Sequence, residues 1–207
     1  MTGTILIADD HPLFRQALVM AAERVAPALR IVEAGTLNRA AQAASAERDL
    51  KLILLDLRMP GANGFSGVAL LHAERPDVPI LVVSSAEGMA VAQDARRFGA
   101  VGFVGKERDL DTIEEAIADA LAGKPVTAPV EGELDTVAAK VASLTPMQLK
   151  VLLGVLEGRL NKQIAHDLSI SEATVKAHMT AILRKLDVQN RTQAVLAARA
   201  LGLDMVH

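Results

Sequence analysis

The amino-acid sequence predicts an α/β fold, a doubly wound five-stranded parallel sheet, followed by a smaller all-α domain of four helices. Three observations predict this organisation. Residues 1–122 alternate five times between short apolar runs and segments with helical spacing, which is the pattern of a parallel sheet with helices on both faces. Residues 123–132 contain two prolines and two glycines, a composition typical of a linker. From Thr145 onward the spacing of apolar residues is helical throughout.

The predicted strands are apolar runs at residues 4–8, 30–34, 52–56, 79–85 and 101–104. Pro12 suits the first turn of a helix, and apolar residues keep helical spacing from Leu13 to Ala22. Thr36 and Asp109 are the predicted N-caps of the second and fifth helices, which run to about residues 46 and 122. The third and fourth helices are predicted at residues 65–74 and 88–98. We expect the strand order 2-1-3-4-5, which places the first and third strands side by side.

Composition excludes several classes of protein. The chain has four Phe, no Tyr and no Trp, so its core must be aliphatic and rich in alanine. It has no cysteine, which excludes disulfides, thiolate metal sites and a cysteine nucleophile. The N-terminal run lacks the features of a signal peptide, and no apolar stretch approaches 18 residues. We therefore expect a cytoplasmic protein that does not associate with a membrane.

The net charge of −3 is unevenly distributed along three predicted parts of the chain. The first domain, residues 1–122, has 17 acidic and 12 basic side chains and a net charge of −5. The linker, residues 123–142, has a net charge of −1, and the second domain, residues 143–207, has a net charge of +3. The asymmetry suggests two tasks, the second on a polyanion, although +3 on a domain of this size is also ordinary.

Acidic side chains follow two strands that the predicted order makes neighbours. Asp9 and Asp10 come directly after the first strand, and Asp56 closes the third, apolar strand. Three carboxylates at one edge repel each other unless a cation neutralises them, and Mg²⁺ takes one or two carboxylates together with water and phosphate oxygens. With the metal in place Asp56 could act as a nucleophile and form an aspartyl phosphate.

A phosphoryl group needs cations and hydrogen-bond donors around it, and the same edge of the sheet offers both. Lys106 ends the fifth strand and Ser85 ends the fourth, where the small Ala86 leaves room for a phosphoryl donor. Taken singly, these residues have ordinary interpretations as caps, turn residues or surface side chains. Their placement at successive strand ends of one sheet favours a phosphoryl-transfer site.

The first domain resembles the receiver domain of bacterial response regulators, specifically the NarL/FixJ branch. The matching segments are ADDHPLFR (8–15), LLDLRMPGANG (54–64), SSA (84–86) and GFVGK (102–106). The resemblance implies a flavodoxin-like fold and phosphoryl transfer from a histidine kinase to Asp56. It implies Mg²⁺ ligands from Asp9, Asp10, Asp56 and the backbone carbonyl of Arg58. It also implies that Ser85 and Lys106 contact the phosphoryl group. Phe103 matches the family's switch aromatic, whose ring turns inward when Ser85 moves onto the phosphate. Alternatively, Phe103 is only a packing residue on the fifth strand.

The C-terminal segment predicts four helices with clear start signals. Thr145, Pro146 and Gln148 form a capping box, and Asn161, Ser171 and Asn190 are the predicted N-caps of the next three helices. In the third helix four apolar residues share one stripe: Val175, Met179, Ile182 and Leu186. The opposite face carries Lys176, Ala177, Thr180 and Arg184. A short helix, a tight turn and a longer helix of this kind is typical of a helix-turn-helix, although any solvated bundle helix can be amphipathic.

Residues 144–195 resemble the LuxR-type helix-turn-helix, with NKQIA, SEATVKAH and ILRKLDVQNRT as the specific segments. The resemblance implies that Lys176, Ala177 and Thr180 face base edges in double-stranded DNA. It places three further side chains near phosphates: Lys162, Thr174 and Lys185. One departure is Leu160, which stands where the family usually has Ser or Thr, so that one phosphate hydrogen bond is lost. His178 is expected to pack or to contact the DNA backbone.

These observations together predict a transcriptional response regulator of a two-component phosphorelay. Phosphorylation of Asp56 by a histidine kinase is expected to control DNA binding and the formation of a homodimer. In the unphosphorylated form we expect a monomer or a masked DNA-binding face, with the acidic and basic domains docked together. A regulator of the same fold that works without phosphorylation is the alternative.

A phosphatase and a ligand-sensing regulator fit the sequence less well. An aspartyl phosphatase needs a second Asp two residues after the nucleophile, and Arg58 occupies that position. The chain is therefore expected to accept a phosphoryl group without being a turnover enzyme. A ligand-sensing regulator would need an apolar cavity, which an acidic strand edge does not provide.

Overall fold

We analysed a computed structural model of the chain, which describes residues 3–85, 89–124, 126, 140–200 and 202–203. Most of the predicted linker and the residue Ala86 lie outside the described residues. No helix in the described part of the chain is long and apolar enough to cross a membrane.

The first domain is a five-stranded parallel sheet with the order β2-β1-β3-β4-β5, so the predicted order is confirmed. The strands are β1 (Thr4–Ala8), β2 (Arg30–Ala34), β3 (Leu50–Leu55), β4 (Ile80–Ser84) and β5 (Gly102–Gly105). The central strands β1, β3 and β4 are buried along almost their whole length, as expected for a sheet covered on both faces. β3 begins two residues earlier than predicted and ends at Leu55, so that Asp56 lies just beyond the strand rather than in it.

Five helices cover the two faces of the sheet: α1 (Pro12–Val25), α2 (Leu37–Ala46), α3 (Ser66–Glu74), α4 (Met89–Arg97) and α5 (Leu110–Leu121). Thr36 and Asp109 cap α2 and α5 as predicted, because their side chains accept hydrogen bonds from the backbone N–H groups of Arg39 and Thr112. Helices α1 and α5 pack together on one face of the sheet, and α2 and α3 pack together on the other.

The second domain consists of α6 (Pro146–Leu156), α7 (Asn161–Asp167), α8 (Glu172–Leu186) and α9 (Arg191–Ala200). Thr145 and Gln148 form the predicted capping box, with hydrogen bonds of 3.3 and 3.1 Å. Ser171 and Asn190 accept hydrogen bonds at the starts of α8 and α9. The prediction that Asn161 caps α7 is wrong. Leu160 occupies the N-cap position, and Asn161 instead accepts a hydrogen bond from Arg191.

The two domains share a contact through α3 and α6. Nζ of Lys150 on α6 lies 2.8 Å from Oε1 of Glu74 at the end of α3, and Glu74 is only 12% exposed. The backbone N–H of Phe65 donates to the carbonyl of Gly202 over 3.3 Å. Buried apolar side chains of α2, α3 and α6 belong to one continuous core cluster. The domains are therefore docked in this structure.

Candidate metal centre and nucleic-acid interface

Two neighbouring strands bring the predicted carboxylates together. Ala8 of β1 is paired with Leu55 of β3, and the next residue in each strand is an aspartate. The backbone N–H of Asp56 donates to the carbonyl of Ala8 over 2.8 Å, and that of Asp9 donates to Ala34 over 3.0 Å. Both carboxylates are buried, Asp9 completely and Asp56 to within 2% of its surface. The parallel pairing of β1 with β3 is the physical reason that residues 47 positions apart share one site.

Lys106 neutralises both buried carboxylates. Its Nζ lies 2.6 Å from Oδ2 of Asp9 and donates to Oδ2 of Asp56 over 2.7 Å. The backbone N–H of Lys106 donates to the carbonyl of Ser84, so the hydrogen bonding between β4 and β5 continues as far as Lys106. The ammonium lies 4.7 Å from the centre of the Phe14 ring, a cation–π distance. Because buried charges are costly unless paired, this arrangement stabilises the site when no other cation is bound.

Four residues offer ligand atoms to a metal ion: Asp9, Asp10, His11 and Asp56 have one such atom each, all within 4.8 Å of one another. The Asp10 carboxylate is partly exposed and lies 2.9 Å from Nδ1 of His11. Carboxylate oxygens at one edge, open to solvent on one side, suit a hard cation that keeps several water ligands. The sequence prediction included the three aspartates, and their meeting at one edge agrees with it; the exposed His11 ring lies beside them.

The other predicted site residues lie around this cluster. Ser85 is exposed directly after β4, and Arg58 is exposed while its backbone N–H donates to Oδ1 of Asp56 over 3.1 Å. Phe103 on β5 is half-buried and packs against the core. Their roles in phosphate binding, metal binding and switching stay predictions. The sequence reasoning also missed Phe14, whose contact with Lys106 joins the start of α1 to the residue that follows β5.

Helices α7 and α8 form a helix-turn-helix. The turn contains Ser169 in the left-handed conformation (φ 54°), and the N–H of Ile170 bonds back to the carbonyl of Ala165 over 2.9 Å. The predicted stripe of α8 is buried: Val175, Met179, Ile182 and Leu186 all belong to the core. The stripe packs against α6, α7 and α9, which leaves the opposite face of α8 for solvent.

Within the described part of the chain, the outer face of α8 is exposed to solvent. Lys176, Ala177, Thr180 and Arg184 are exposed with both domains present, as is Lys162 on α7. In this structure the first domain docks on α6 and not on this face. Of the two expected unphosphorylated forms, a monomer and a masked face, the exposed face fits the monomer, and the effect of phosphorylation stays a prediction. Lys176 pairs with the exposed Glu172 at 3.2 Å, an interaction that costs little to exchange for a phosphate or a base.

Two of the predicted phosphate contacts, Lys185 and Thr174, also make contacts within the protein. The Lys185 ammonium donates to the Ser143 carbonyl and to Oε1 of Gln148, at 2.7 and 3.0 Å, so it connects α8 to the start of α6. Thr174 is partly buried, and its hydroxyl lies 2.8 Å from that of Ser171. Contacts of Lys185 and Thr174 with DNA phosphates stay predictions. Leu160 is 68% exposed and occupies the N-cap position of α7.

Comparison with known families identifies both domains. Residues 5–118 match the family described as response regulator receiver domain, which is more than half of the chain. Residues 142–198 match the family described as bacterial regulatory proteins, luxR family. The two matches leave residues 119–141 between them, which includes most of the predicted linker.

Several known proteins are similar to this chain over all or part of its length. The glycerol metabolism activator of Pseudomonas putida is 40% identical, with 94% of each chain covered. The nitrate/nitrite response regulator protein NarL of Escherichia coli K12 is 30% identical, again with 94% of each chain covered. Among solved structures, a two-component response regulator of the LuxR family from Aurantimonas is 28% identical with a TM-score of 0.56. That match covers 62% of this chain and 91% of the other.

Proposed function

Because the chain belongs to the two-component response regulators that join a receiver domain to a LuxR-family DNA-binding domain, we propose that a histidine kinase phosphorylates Asp56 and thereby controls how the second domain binds DNA. The observation that carries the proposal is the meeting of Asp56 with Lys106 and the Asp9–Asp10 pair at one sheet edge, on a chain that also exposes a helix-turn-helix face.

The residues of the pocket suit one transfer reaction. An Oδ atom of Asp56 attacks phosphorus, the new O–P bond forms, and the P–N bond to the kinase imidazole breaks, so that the imidazole leaves with the bonding electron pair. Asp9, Asp10 and Asp56 would hold Mg²⁺, which supplies positive charge to the phosphoryl oxygens when bound. Lys106 already contacts Asp56, and its ammonium can move to a phosphoryl oxygen attached there. The carbonyl of Arg58 completes the proposed ligand set.

Transfer stops at the acyl phosphate. An aspartyl phosphatase places a carboxylic acid two residues after its nucleophile, and the exposed Arg58 offers no proton acceptor there. The phosphorylated Asp56 therefore serves as a signal rather than as an intermediate of turnover. Ser85 and Phe103 are proposed to report its formation. Ser85 moves onto the phosphoryl group and the ring of Phe103 turns inward.

The second domain is proposed to bind double-stranded DNA in its major groove. Lys176, Ala177 and Thr180 are placed for base contacts, with Ala177 and the Thr180 methyl suited to a thymine methyl group. Lys162, Thr174, Arg184 and Lys185 are proposed phosphate contacts. A cytoplasmic location is part of the proposal, since the proposed DNA target lies there. A homodimer on two half-sites is the proposed active form.

Phosphorylation can be tested with the purified full-length chain. Acetyl phosphate and Mg²⁺ should produce a slower band in a Phos-tag gel for the wild type and none for Asp56→Ala. Lys124→Ala, which removes an exposed ammonium far from the pocket in sequence, is the control and should shift as the wild type does. A shifted band in Asp56→Ala would contradict the assignment of the acceptor residue.

The alternative, a regulator that works without phosphorylation, makes a different prediction for DNA. A duplex selected from a random pool by the phosphorylated wild type should bind phosphorylated protein about tenfold more tightly than Asp56→Ala treated in the same way, which corresponds to roughly 1.4 kcal/mol. Equal affinity would favour the alternative. Lys176→Ala should weaken binding in either case.

A further inference from the structure

The guanidinium of Arg15 connects three elements beside the acidic cluster. Nη1 of Arg15 donates to the backbone carbonyl of Asp9 over 2.7 Å, and Nε donates to Oε2 of Glu33 over 2.8 Å. Arg15 lies on α1, Asp9 follows β1, and Glu33 lies on β2. We propose that Arg15, held in place by Glu33, is a positioning residue that fixes the Asp9–Asp10 segment for Mg²⁺. This inference rests on the metal site proposed above.

The contact from Arg15 acts next to Asp10, the aspartate of the cluster that has the fewest other hydrogen bonds among those described. The Asp9 side chain is buried, with Oδ1 accepting from the N–H of His11 and Oδ2 beside Lys106. Asp10 is 32% exposed, and its Oδ1 pairs with the exposed His11 ring. The carbonyl that Arg15 contacts belongs to the planar peptide unit that joins Asp9 to Asp10. By holding that oxygen, Arg15 fixes the orientation of the peptide plane and therefore the direction in which the Asp10 side chain leaves the backbone.

The contact also requires the geometry of arginine. Nε and Nη1 point to two different acceptors at once, one a backbone carbonyl and the other a carboxylate. A lysine carries a single ammonium at the end of a flexible stem and has no planar fork with which to join these acceptors. Arg15 is 21% exposed and Glu33 is 48% exposed, so the guanidinium lies nearer the interior than its carboxylate partner. Arg24 lies on the same helix as Arg15, pairs with Glu114 of α5 and is 60% exposed.

A simple charge effect predicts the opposite result. Arg15 is a cation near the acidic cluster, so its removal should strengthen the binding of Mg²⁺ if only its charge mattered. Positioning predicts weaker binding, because the Asp10 ligand would lose its fixed orientation. Partners that orient metal ligands typically change metal affinity by about tenfold or more when they are mutated.

Isothermal titration of the full-length protein with Mg²⁺ tests the proposal with three variants. Arg15→Lys keeps the charge, Arg15→Gln removes it, and Arg24→Gln removes a matched arginine from the same helix. We expect the dissociation constant to rise about tenfold in both Arg15 variants and to stay at the wild-type value in Arg24→Gln. In acetyl phosphate reactions, both Arg15 variants should need more Mg²⁺ for half-maximal rate and reach nearly the wild-type rate at saturating Mg²⁺.

Two results would overturn the proposal and leave the proposed function standing. One is wild-type Mg²⁺ affinity in Arg15→Lys, and the other is tighter binding in Arg15→Gln. Thermal unfolding in EDTA shows whether each variant is folded. If Arg15→Gln is not, Glu33→Gln, which loosens Arg15 without removing it, must also weaken Mg²⁺ binding. A wild type that binds no Mg²⁺ would instead reject the metal site itself.

Discussion

Lys106 is the residue on which the charge balance of the pocket depends. Two carboxylates with at most 2% of their surface exposed lie within 2.7 Å of its ammonium, which is itself 10% exposed. Buried like charges of this kind require a cation nearby. Lys106 supplies it from the end of β5, and the same ammonium is available to a phosphoryl group. One residue therefore stabilises the fold and serves the proposed reaction.

Replacing Lys106 with methionine tests this double role. Without the ammonium, Asp9 and Asp56 are left as an uncompensated buried pair, and we expect the free energy of unfolding at pH 7 in EDTA to fall by about 3 kcal/mol. A ligand that binds only the folded state stabilises that state. We therefore expect Mg²⁺ to raise the free energy of unfolding more in Lys106→Met than in the wild type. Urea unfolding with EDTA or Mg²⁺ measures both effects.

Lys124→Met is the control for this experiment. Lys124 pairs with Asp119 at 3.1 Å and is 68% exposed, so its loss should change stability little. A Lys106→Met variant as stable as the wild type in EDTA would show that the carboxylate pair does not depend on this cation.

Helix α7 begins with an incomplete N-terminal cap. At the start of α7 the backbone N–H of Leu160 donates to Oε1 of Gln163 over 2.7 Å, so half of a capping box is present. The other half is absent, because a leucine side chain has no atom that accepts a hydrogen bond. α7 therefore lacks a side-chain cap that accepts a hydrogen bond. The other three helices of the domain have such caps at Thr145, Ser171 and Asn190.

Leu160→Thr should complete that cap. We expect the domain to gain about 0.5–1 kcal/mol, since a hydroxyl would accept from the N–H groups at the start of α7. Leu160→Ala removes the same exposed apolar surface without supplying an acceptor, and it should give no gain. Thermal unfolding of the three proteins separates the two effects. Equal melting temperatures for the Thr and Ala variants would contradict the capping argument.

His72 gives helix α3 a predicted pH dependence. Burial lowers the pKa of His72 from its ordinary value of 6.5, and its ring packs so closely on Gly99 that a Cβ there would lie 2.5 Å from Cγ. The unfolded chain binds the proton more readily than the folded chain. The neutral ring therefore makes its full contribution to the free energy of unfolding above about pH 6.5. This contribution is lost as the pH falls through the lowered pKa of the folded state.

Melting temperatures between pH 7 and pH 5 test this dependence. His72→Leu should remove part of the loss that the wild type shows in this range. The control is His166→Gln, since the His166 side chain is 90% exposed and its loss should leave the pH profile unchanged. Parallel profiles for wild type and His72→Leu would show that another group causes the loss.

At the scale of the whole molecule, the structure shows which surfaces the domains use against each other. Helix α3 follows the loop that begins at Asp56, and it packs on α6 rather than on the exposed face of α8. A cavity of about 240 Å³ lies between the domains, lined among others by Leu37, Leu70 and Leu153. Interfaces between domains of one chain resemble transient protein–protein interfaces, and we therefore expect this docking to be reversible.

The ion pair between Glu74 and Lys150 is the place to test docking. Glu74→Gln should weaken the domain contact by roughly 1 kcal/mol, and Lys150→Gln should act similarly, with the double variant no worse than either single one. Because the chain has no cysteine, two introduced cysteines can carry a dye pair, for example at the exposed positions Gln16 and Thr192.

Lower energy transfer in Glu74→Gln than in the wild type is the expected result. Arg24→Gln, which breaks an ion pair within the first domain, is the matched control and should leave the transfer efficiency unchanged. Equal efficiencies in wild type and Glu74→Gln would show that this ion pair does not hold the domains together. Phosphorylation by acetyl phosphate can then be compared with the mutation in the same assay.

The sequence by itself determined the elements, the caps at Thr36, Asp109, Thr145 and Ser171, and the carboxylates at the strand ends. These follow from local signals, namely apolar periodicity and side chains that bond to nearby backbone. It misplaced the start of α7, because a leucine at the N-cap contradicts the usual preference and Asn161 is used by Arg191 instead.

Only the tertiary structure decided which side chains meet across distant segments. The Lys106 contact with Asp9 depends on strand register, and the link from Arg15 to Glu33 depends on how α1 lies over the sheet. The docking surface depends on both domains at once, and net charges of −5 and +3 predicted attraction without saying which helix would be covered. Such contacts join residues far apart in the chain, so no local pattern records them.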